Sequence, residues 1–198
     1  MIIHNCIQGT DEWLKIRLGK FGGTDAQAVA TNGKGLETLC FQKVADLMIG
    51  KPQKSYTNED MERGKKLEAS ARLLYELKTG NSVKEVGYLE LNECTGCSPD
   101  GLVGDEGMIE IKCPSDRVFV EYLYKKEIDK KYFWQMQHQM SVADRKWCDY
   151  VLYNENLDRI EIQRVERDEK AIEKIIIGLE AGIKKIKEIQ EKINATTN

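Results

Sequence analysis

The sequence predicts a mixed α/β (α+β) fold, with a central mixed β-sheet flanked by helices. Three observations predict it. Helical patterns run as far as Thr79, extended alternation takes over from Ser82 to Cys113, and helix and strand patterns then alternate to the end. A compact turn joins two short extended runs, Cys97–Val103 and Met108–Pro114, into a hairpin. Near the C-terminus, Ile172, Leu179, Ile186 and Ile193 recur at heptad spacing, with Ile175, Ile176, Ile183 and Ile189 beside them, which marks a long amphipathic helix.

At 198 residues, the chain can form one domain with a real core. A hydrophobic content of 41% and a charged content of 32% fit a soluble globular protein rather than a disordered one. The net charge of -3 excludes a global basic field, so any nucleic-acid contact must come from a local basic surface. No apolar run approaches membrane-spanning length, and Met1–Gln8 is too short and polar for a secretory signal. The expected compartment is therefore a reducing cytoplasm, with the six cysteines as free thiols. Cys94-x-x-Cys97 has metal-site spacing, but no second closely spaced Cys or His pair completes four ligands.

The elements follow in order. A small strand is expected at Met1–Ile3. Thr10 N-caps a helix with acids in its first turn, and Gly19 stops it. Phe21-Gly22-Gly23-Thr24-Asp25 then precedes Ala26–Ala30. Two glycines and a threonine before a helical run suit an anion site at a helix start, and equally a flexible turn with a capped helix. After a loop at 31–35, a helix is expected over Leu36–Met48, with Leu39, Val44 and Leu47 buried and Gly50 and Pro52 ending it. A polar loop at 51–57 leads to a long helix capped by Asn58 and stopped at Gly80, with Met61, Leu67, Ala71, Leu74 and Leu77 as its stripe. Glu68 lies at the stripe's margin, where glutamates are ordinarily solvated. Arg63, Lys65 and Lys66 form a basic cluster on that helix.

Residues 82–92 read as one strand with Gly87 as a bulge, leading into the hairpin. Residues 116–130 are amphipathic and helix-rich. Lys125, Lys126, Lys130 and Lys131 form a run that suits either a solvated face or a phosphate backbone. Tyr132–Met140 is a helix in which Gln135 and Gln139 share a face. His138 has no acid or Cys partner for a triad and reads as structural. Trp147–Leu152 and Arg159–Val165 are strands about a turn at Asn154–Asp158, and the last helix begins at Asp168. Its stripe docks on the body or, alternatively, on another subunit.

The chemistry concentrates on the hairpin. Strand alternation puts Glu110 and Lys112 on one face and Ile109 and Ile111 on the other. If Val103 pairs with Gly107, Asp100 falls opposite Glu110 and shares its face. Two carboxylates and a lysine so arranged suit a hard divalent cation and a hydrolytic water. Phosphodiester hydrolysis needs such a group, because negative charge must be stabilised while a water is activated. Taken alone, an acid-x-Lys triplet is equally a solvated strand face.

Five motifs in order lift that ambiguity: Gln8-Gly9-Thr10-Asp11-Glu12-Trp13 with Arg17-Leu18-Gly19; Gly64-Lys65-Lys66-Leu67-Glu68; Cys97-Ser98-Pro99-Asp100-Gly101; Glu110-Ile111-Lys112-Cys113-Pro114; and Tyr132 to Met140. In these the chain resembles the phage lambda exonuclease / YqaJ-type viral recombinase branch of the PD-(D/E)xK nucleases, over about residues 8–170. The resemblance implies a single nuclease domain over 1–198 with a restriction-endonuclease-like core and a C-terminal helix over about 168–193. It implies that Asp100, Glu110 and Glu68 hold metal with the Ile111 backbone carbonyl, and that Lys112 is the catalytic lysine. Arg17 then receives a terminal 5′-phosphate, Thr24 supplies a neighbouring hydroxyl, and Gln135 and Gln137 belong to the site.

The activity implied is Mg²⁺-dependent 5′→3′ exonucleolysis of linear duplex DNA to mononucleotides, leaving a 3′ overhang for recombination. Mn²⁺ is expected to substitute, and no iron–sulfur cluster is expected. The implied partners are duplex DNA ends, further copies of the chain in a trimeric ring, and a single-strand-annealing protein. The expected setting is a bacterial host cytoplasm if the chain is phage-encoded. The alternatives are a related endonuclease, an iron–sulfur CRISPR-associated exonuclease, and a non-catalytic DNA-end-binding module.

Overall fold

Short apolar strands pair into two sheets, and helices cover both. The computed structural model describes residues 1–51 and 59–196. In chain order the elements are β1 (Ile2–His4), α1 (Asp11–Ile16), a 3₁₀ turn (Gly23–Asp25), α2 (Ala26–Thr31), α3 (Lys34–Ile49), α4 (Glu59–Thr79), β2 (Val83–Lys84), β3 (Tyr88–Asn92), β4 (Thr95–Cys97), β5 (Gly101–Val103), β6 (Gly107–Lys112), α5 (Asp116–Lys125), α6 (Lys130–Ala143), β7 (Trp147–Asn154), β8 (Arg159–Glu166) and α7 (Glu169–Thr196). The expected Asn58 cap lies outside the described residues, as do the side chains of Met61 and Lys65.

Strands β2-β5-β6-β7-β8 form a mixed five-stranded sheet, and β1-β3-β4 form a smaller one. The β6–β7 pair is parallel, so a crossover must join its strands, and α5 and α6 supply it. β6 is buried along Gly107–Ile111, as expected of a strand covered on both faces.

The single strand expected over 82–92 is two strands in different sheets. β2 pairs with β5, whereas β3 pairs with β1 and β4. Gly87 is thus a passage between sheets rather than a bulge. A Cβ there would lie 2.0 Å from the Cys6 carbonyl oxygen, so only glycine fits. The run from Cys97 to Val103 divides in the same way: β4 ends at Cys97 and β5 begins at Gly101. Ser98-Pro99-Asp100 is the crossing segment, where Pro99 has no N–H to leave unpaired.

Helix ends follow local chemistry. Thr10 Oγ1 accepts from the Trp13 amide, and Gly80 (φ 73°) closes α4. Inside α4, Tyr75 is fully buried, whereas Leu77, expected in the stripe, is 74% exposed. Leu47, expected to be buried in α3, is 38% exposed. The lysine run forms ion pairs at the surface: Lys125 with Glu121, Lys126 with Glu161, and Lys131 with Asp129. No helix of the described residues is long and apolar enough to cross a membrane.

α7 docks on its own chain. Ile175 and Ile189 are buried with Phe21, Val29, Leu36, Cys40 and Val44. Ile176, expected beside the stripe, faces outward because it is rotated about 100° from Ile175. The helix approaches α2 so closely that a Cβ at Gly178 would lie 2.0 Å from the Val29 carbonyl oxygen. Gly178→Ala gains about 1 kcal/mol of helix propensity but must push two backbones apart. A net loss of about 2 kcal/mol is expected in denaturant unfolding, and an unchanged midpoint would disprove this close contact.

Candidate active site

The hairpin has the register expected of it. Val103 pairs with Gly107, Leu102 with Met108 and Gly101 with Ile109, so the next step sets Asp100 across from Glu110. Ile109 and Ile111 turn to the other face and pack with Ala71, Tyr75 and Val151. Apolar side chains on one face thus fix the polar ones on the other.

Glu110 is 1% exposed, and a buried carboxylate must be compensated. Its Oε1 accepts from Lys112 Nζ and, at 2.6 Å, from Gln135 Nε2, while its Oε2 accepts from Gln139 Nε2 at 2.8 Å. Lys112 Nζ also donates to the Ile111 carbonyl at 3.1 Å and sits over the Tyr132 ring. Asp100 Oδ2 accepts from the Ile111 amide at 2.6 Å.

The charges crowd one another. Burial pushes the Asp100 carboxyl up to about 8, with Glu110 and then Glu68 adding to the effect, while Lys112 and the Ile111 amide oppose it. Burial alone would depress Lys112, but Glu110 and Asp100 outweigh it and hold the ammonium above the ordinary lysine range. The Cys113 thiol is pushed up to about 12 by burial and by Glu68. Glu68 therefore acts on the same spot from α4. With Asp100, Gln8 and Arg72 it lines a cleft of about 360 Å³.

Glu68, Asp100 and Glu110 offer hard oxygen donors, and their mutual repulsion fits a divalent cation. Among the described residues, no group of three such side chains is gathered closely enough to hold an ion as it stands. Glu110 is held by Lys112 and two carboxamides, and Asp100 Oδ2 by a backbone amide.

Arg17 lies against the first motif and the glycine turn. Its guanidinium stacks 3.8 Å from the Trp13 ring centroid, and it forms no ion pair with the described residues. Burial lowers its pKa, against Tyr88, Asp25 and Cys97. A Cβ on Gly22 would lie 3.6 Å from the guanidinium, so the glycine turn runs beside it. Thr24 is exposed on that turn.

The first motif also has a scaffolding part that the sequence reading missed. Gln8 Nε2 donates to the carbonyls of Val86 and Pro99, each at 3.1 Å, and Trp13 Nε1 donates to Ser98 Oγ at 2.8 Å. These bonds pin the crossing segment that presents Asp100.

Gln137 is a correction. It was expected in the site, but its Nε2 donates to the Glu166 carbonyl at 2.9 Å and its Oε1 accepts from the Asp168 amide at 2.8 Å. It ties α6 to the start of α7. Each helical residue advances about 100°, so Gln137 points away from the face shared by Gln135 and Gln139. Gln139 takes the position expected of it, and the i, i+4 spacing from Gln135 was the available signal.

The family model described as the YqaJ-like viral recombinase domain matches residues 12–146. The chain belongs to this family. The match spans Arg17, Thr24, Glu68, Asp100, Glu110, Lys112 and the glutamine helix. The chain also resembles an alkaline exonuclease, LHK-Exo, from Laribacter hongkongensis, at 32% identity and a TM-score of 0.88, covering 95% of this chain and 98% of that one. The same enzyme in complex with dAMP matches at 33% identity, with the same TM-score and coverage. A phage-related exonuclease from Haemophilus somnus 129PT shares the fold, at 15% identity and a TM-score of 0.70, over 88% of this chain and 96% of that one. No curated protein matches the chain. The YqaJ family assignment places the mixed sheet among PD-(D/E)xK nuclease folds.

Proposed function

We propose that the chain is a metal-dependent 5′→3′ exonuclease that degrades linear duplex DNA to mononucleotides and leaves a 3′ overhang for phage-type recombination. The observation that carries this reading is the convergence of Asp100, Glu110 and Lys112 on one hairpin face, with Glu68 lining one cleft together with Asp100. The likeness to LHK-Exo, an exonuclease whose complex with dAMP is a mononucleotide complex, supports both the activity and the product.

In this reading Glu68, Asp100, Glu110 and the Ile111 carbonyl hold Mg²⁺, with Mn²⁺ as a substitute. The ion supplies charge stabilisation at the phosphate and a more acidic water. Lys112, kept cationic by Glu110 and Asp100, orients that water and stabilises charge on the phosphate. Gln135 steadies Glu110 from α6. Arg17, lacking an ion-pair partner among the described residues, receives the terminal 5′-phosphate, with the Thr24 hydroxyl beside it. The partners are duplex ends, two further copies of the chain in a ring, and a single-strand-annealing protein. Ring closure supplies processivity that a net charge of -3 does not.

The test uses 5′-phosphorylated linear duplex and covalently closed circles, each with Mg²⁺ or EDTA. Loss of the linear duplex alone, and only with metal, is expected. Cutting of closed circles would replace the reading with an endonuclease, and no loss of either DNA would replace it with an end-binding module. Arg17→Ala is expected to lower the preference for 5′-phosphoryl over 5′-hydroxyl ends about ten-fold, the scale of one charge-assisted contact. An unchanged preference would remove Arg17 from the phosphate site.

A further inference from the structure

Both oxygens of Glu110 are held from α6, one by Gln135 and the other by Gln139. Gln139 is 1% exposed and lies between Met136 and Met140, both fully buried. Its neighbours would favour an apolar residue there. Its Oε1 is buried without a hydrogen-bond partner among the described residues, a burden that a methionine or leucine would not carry. Glu110 only accepts, so the carboxamide must turn its Nε2 toward the acid and leave Oε1 unpaired. Nε2 also reaches toward the Ser98 carbonyl, 3.5 Å away in the segment that presents Asp100.

The two glutamines are in turn seated against the glycine turn. A Cβ on Gly23 would lie 3.1 Å from Gln135 Cγ, 3.5 Å from Gln139 Cγ and 3.7 Å from the Gln135 carbonyl oxygen. The first distance is tighter than ordinary packing allows, so any side chain at 23 would push on Gln135. The turn itself is fixed. Phe21 exchanges backbone hydrogen bonds with Cys94 and Gly96, and the Gly22 amide donates to Asp25, which pairs with Lys43 at 2.9 Å. An anchored turn facing the holders of a buried acid is a positioning device.

We propose that Gln139 is a positioning residue for Glu110 and that Gly23 sets Gln135 and Gln139, making turn 22–24 part of the machinery that orients the metal-holding acid. This rests on the exonuclease reading, and the test separates the two.

The variants are Gln139→Met, which keeps the volume and removes the donor, Gly23→Ala, and the double variant. The readouts are Mn²⁺ binding by calorimetry without DNA, the single-turnover rate on linear duplex in saturating Mg²⁺, and the duplex Kd in EDTA. Each single variant is expected to weaken Mn²⁺ binding several-fold and to slow the single-turnover rate about ten-fold or more, the scale of one hydrogen bond to a charged group. The duplex Kd should stay within about two-fold. Because both changes loosen the same carboxylate, Glu110, which Gln135 and Gln139 hold together, the double variant should be little worse than the worse single one. Fully multiplying rate losses would overturn the relay from Gly23. Wild-type Mn²⁺ affinity and rate in Gln139→Met would overturn the inference as a whole. A wild-type protein that neither binds Mn²⁺ nor degrades DNA would instead overturn the exonuclease reading. Gln139→Glu guards against a packing artefact: it keeps the shape, sets a second acceptor against Glu110, and should lose at least as much rate as Gln139→Met.

Discussion

Lys112→Ala is expected to lower nuclease activity about a thousand-fold or more, with duplex binding in EDTA preserved. Two losses combine. The ammonium contacts Glu110, and in the proposed mechanism it stabilises the charge that develops on the scissile phosphate. It also contacts the Ile111 carbonyl, so its removal disturbs two of the groups proposed to hold metal. The substitution has a second signature. Glu110 is 1% exposed, and without Lys112 it keeps, among the described residues, two neutral carboxamides. Losing one partner of a fully buried pair costs about 3–5 kcal/mol, and a lysine side chain 27% exposed places this pair nearer roughly 2–3 kcal/mol. Mg²⁺ should restore part of that stability by replacing the missing positive charge, without restoring activity. A stable, metal-independent Lys112→Ala protein with near-normal activity would remove Lys112 from the mechanism. Glu110→Gln makes the complementary case: it keeps the shape of the carboxylate and removes the buried charge, and it should lose activity with a smaller loss of metal-free stability than Lys112→Ala.

Legibility in the sequence followed how local the determining physics was. The register at Val103 and Gly107 could be read because a three-residue turn leaves few pairings that keep Ile109 and Ile111 inside. That register fixed the relation of Asp100 to Glu110. The long C-terminal helix was legible from its stripe, and its partner helices were not, because docking depends on Gly178 meeting Val29 across the fold. The division of the strands into two sheets was hidden. Alternation continues through Gly87 and through Ser98-Pro99-Asp100, and nothing local marks a change of partner.

The glutamine helix shows the same limit. Spacing put Gln135 and Gln139 together, but a motif containing Gln137 drew attention to the wrong side of the helix. Only the contacts to Glu166 and Asp168 show that Gln137 holds α6 to α7. Likewise burial of Tyr75 requires a buried partner for its hydroxyl, which the sequence pattern does not show. Asp149 provides one at 2.8 Å, itself held by Arg164.

Divalent metal is expected to stabilise the protein by an amount that grows with pH between about 5 and 8, a window set by Asp100. Without metal, the folded protein holds this carboxyl at about 8, far above its value in an unfolded chain. The sign follows from linkage: a raised folded pKa contributes stability that is fully present below the unfolded value and is lost as pH rises through the folded one. The metal-free protein should therefore lose this contribution on going from pH 5 toward pH 8, as burial, Glu110 and Glu68 come to bear on an ionised Asp100. A bound cation reverses the balance, because it needs the ionised form and competes with the proton.

The measurement is the Tm increment from saturating Mg²⁺ at pH 5.5, 7 and 8.5, in the wild type and in Asp100→Asn. The wild-type increment should rise with pH, and the variant's should be smaller and nearly flat. Other groups titrate in the opposite sense, Glu90 through His4 and Lys20 among them, so the difference between the two proteins carries the result rather than either curve alone. An increment equal in both proteins at every pH would remove Asp100 from the metal site. One that falls with pH would mean that the proton is not what the cation displaces.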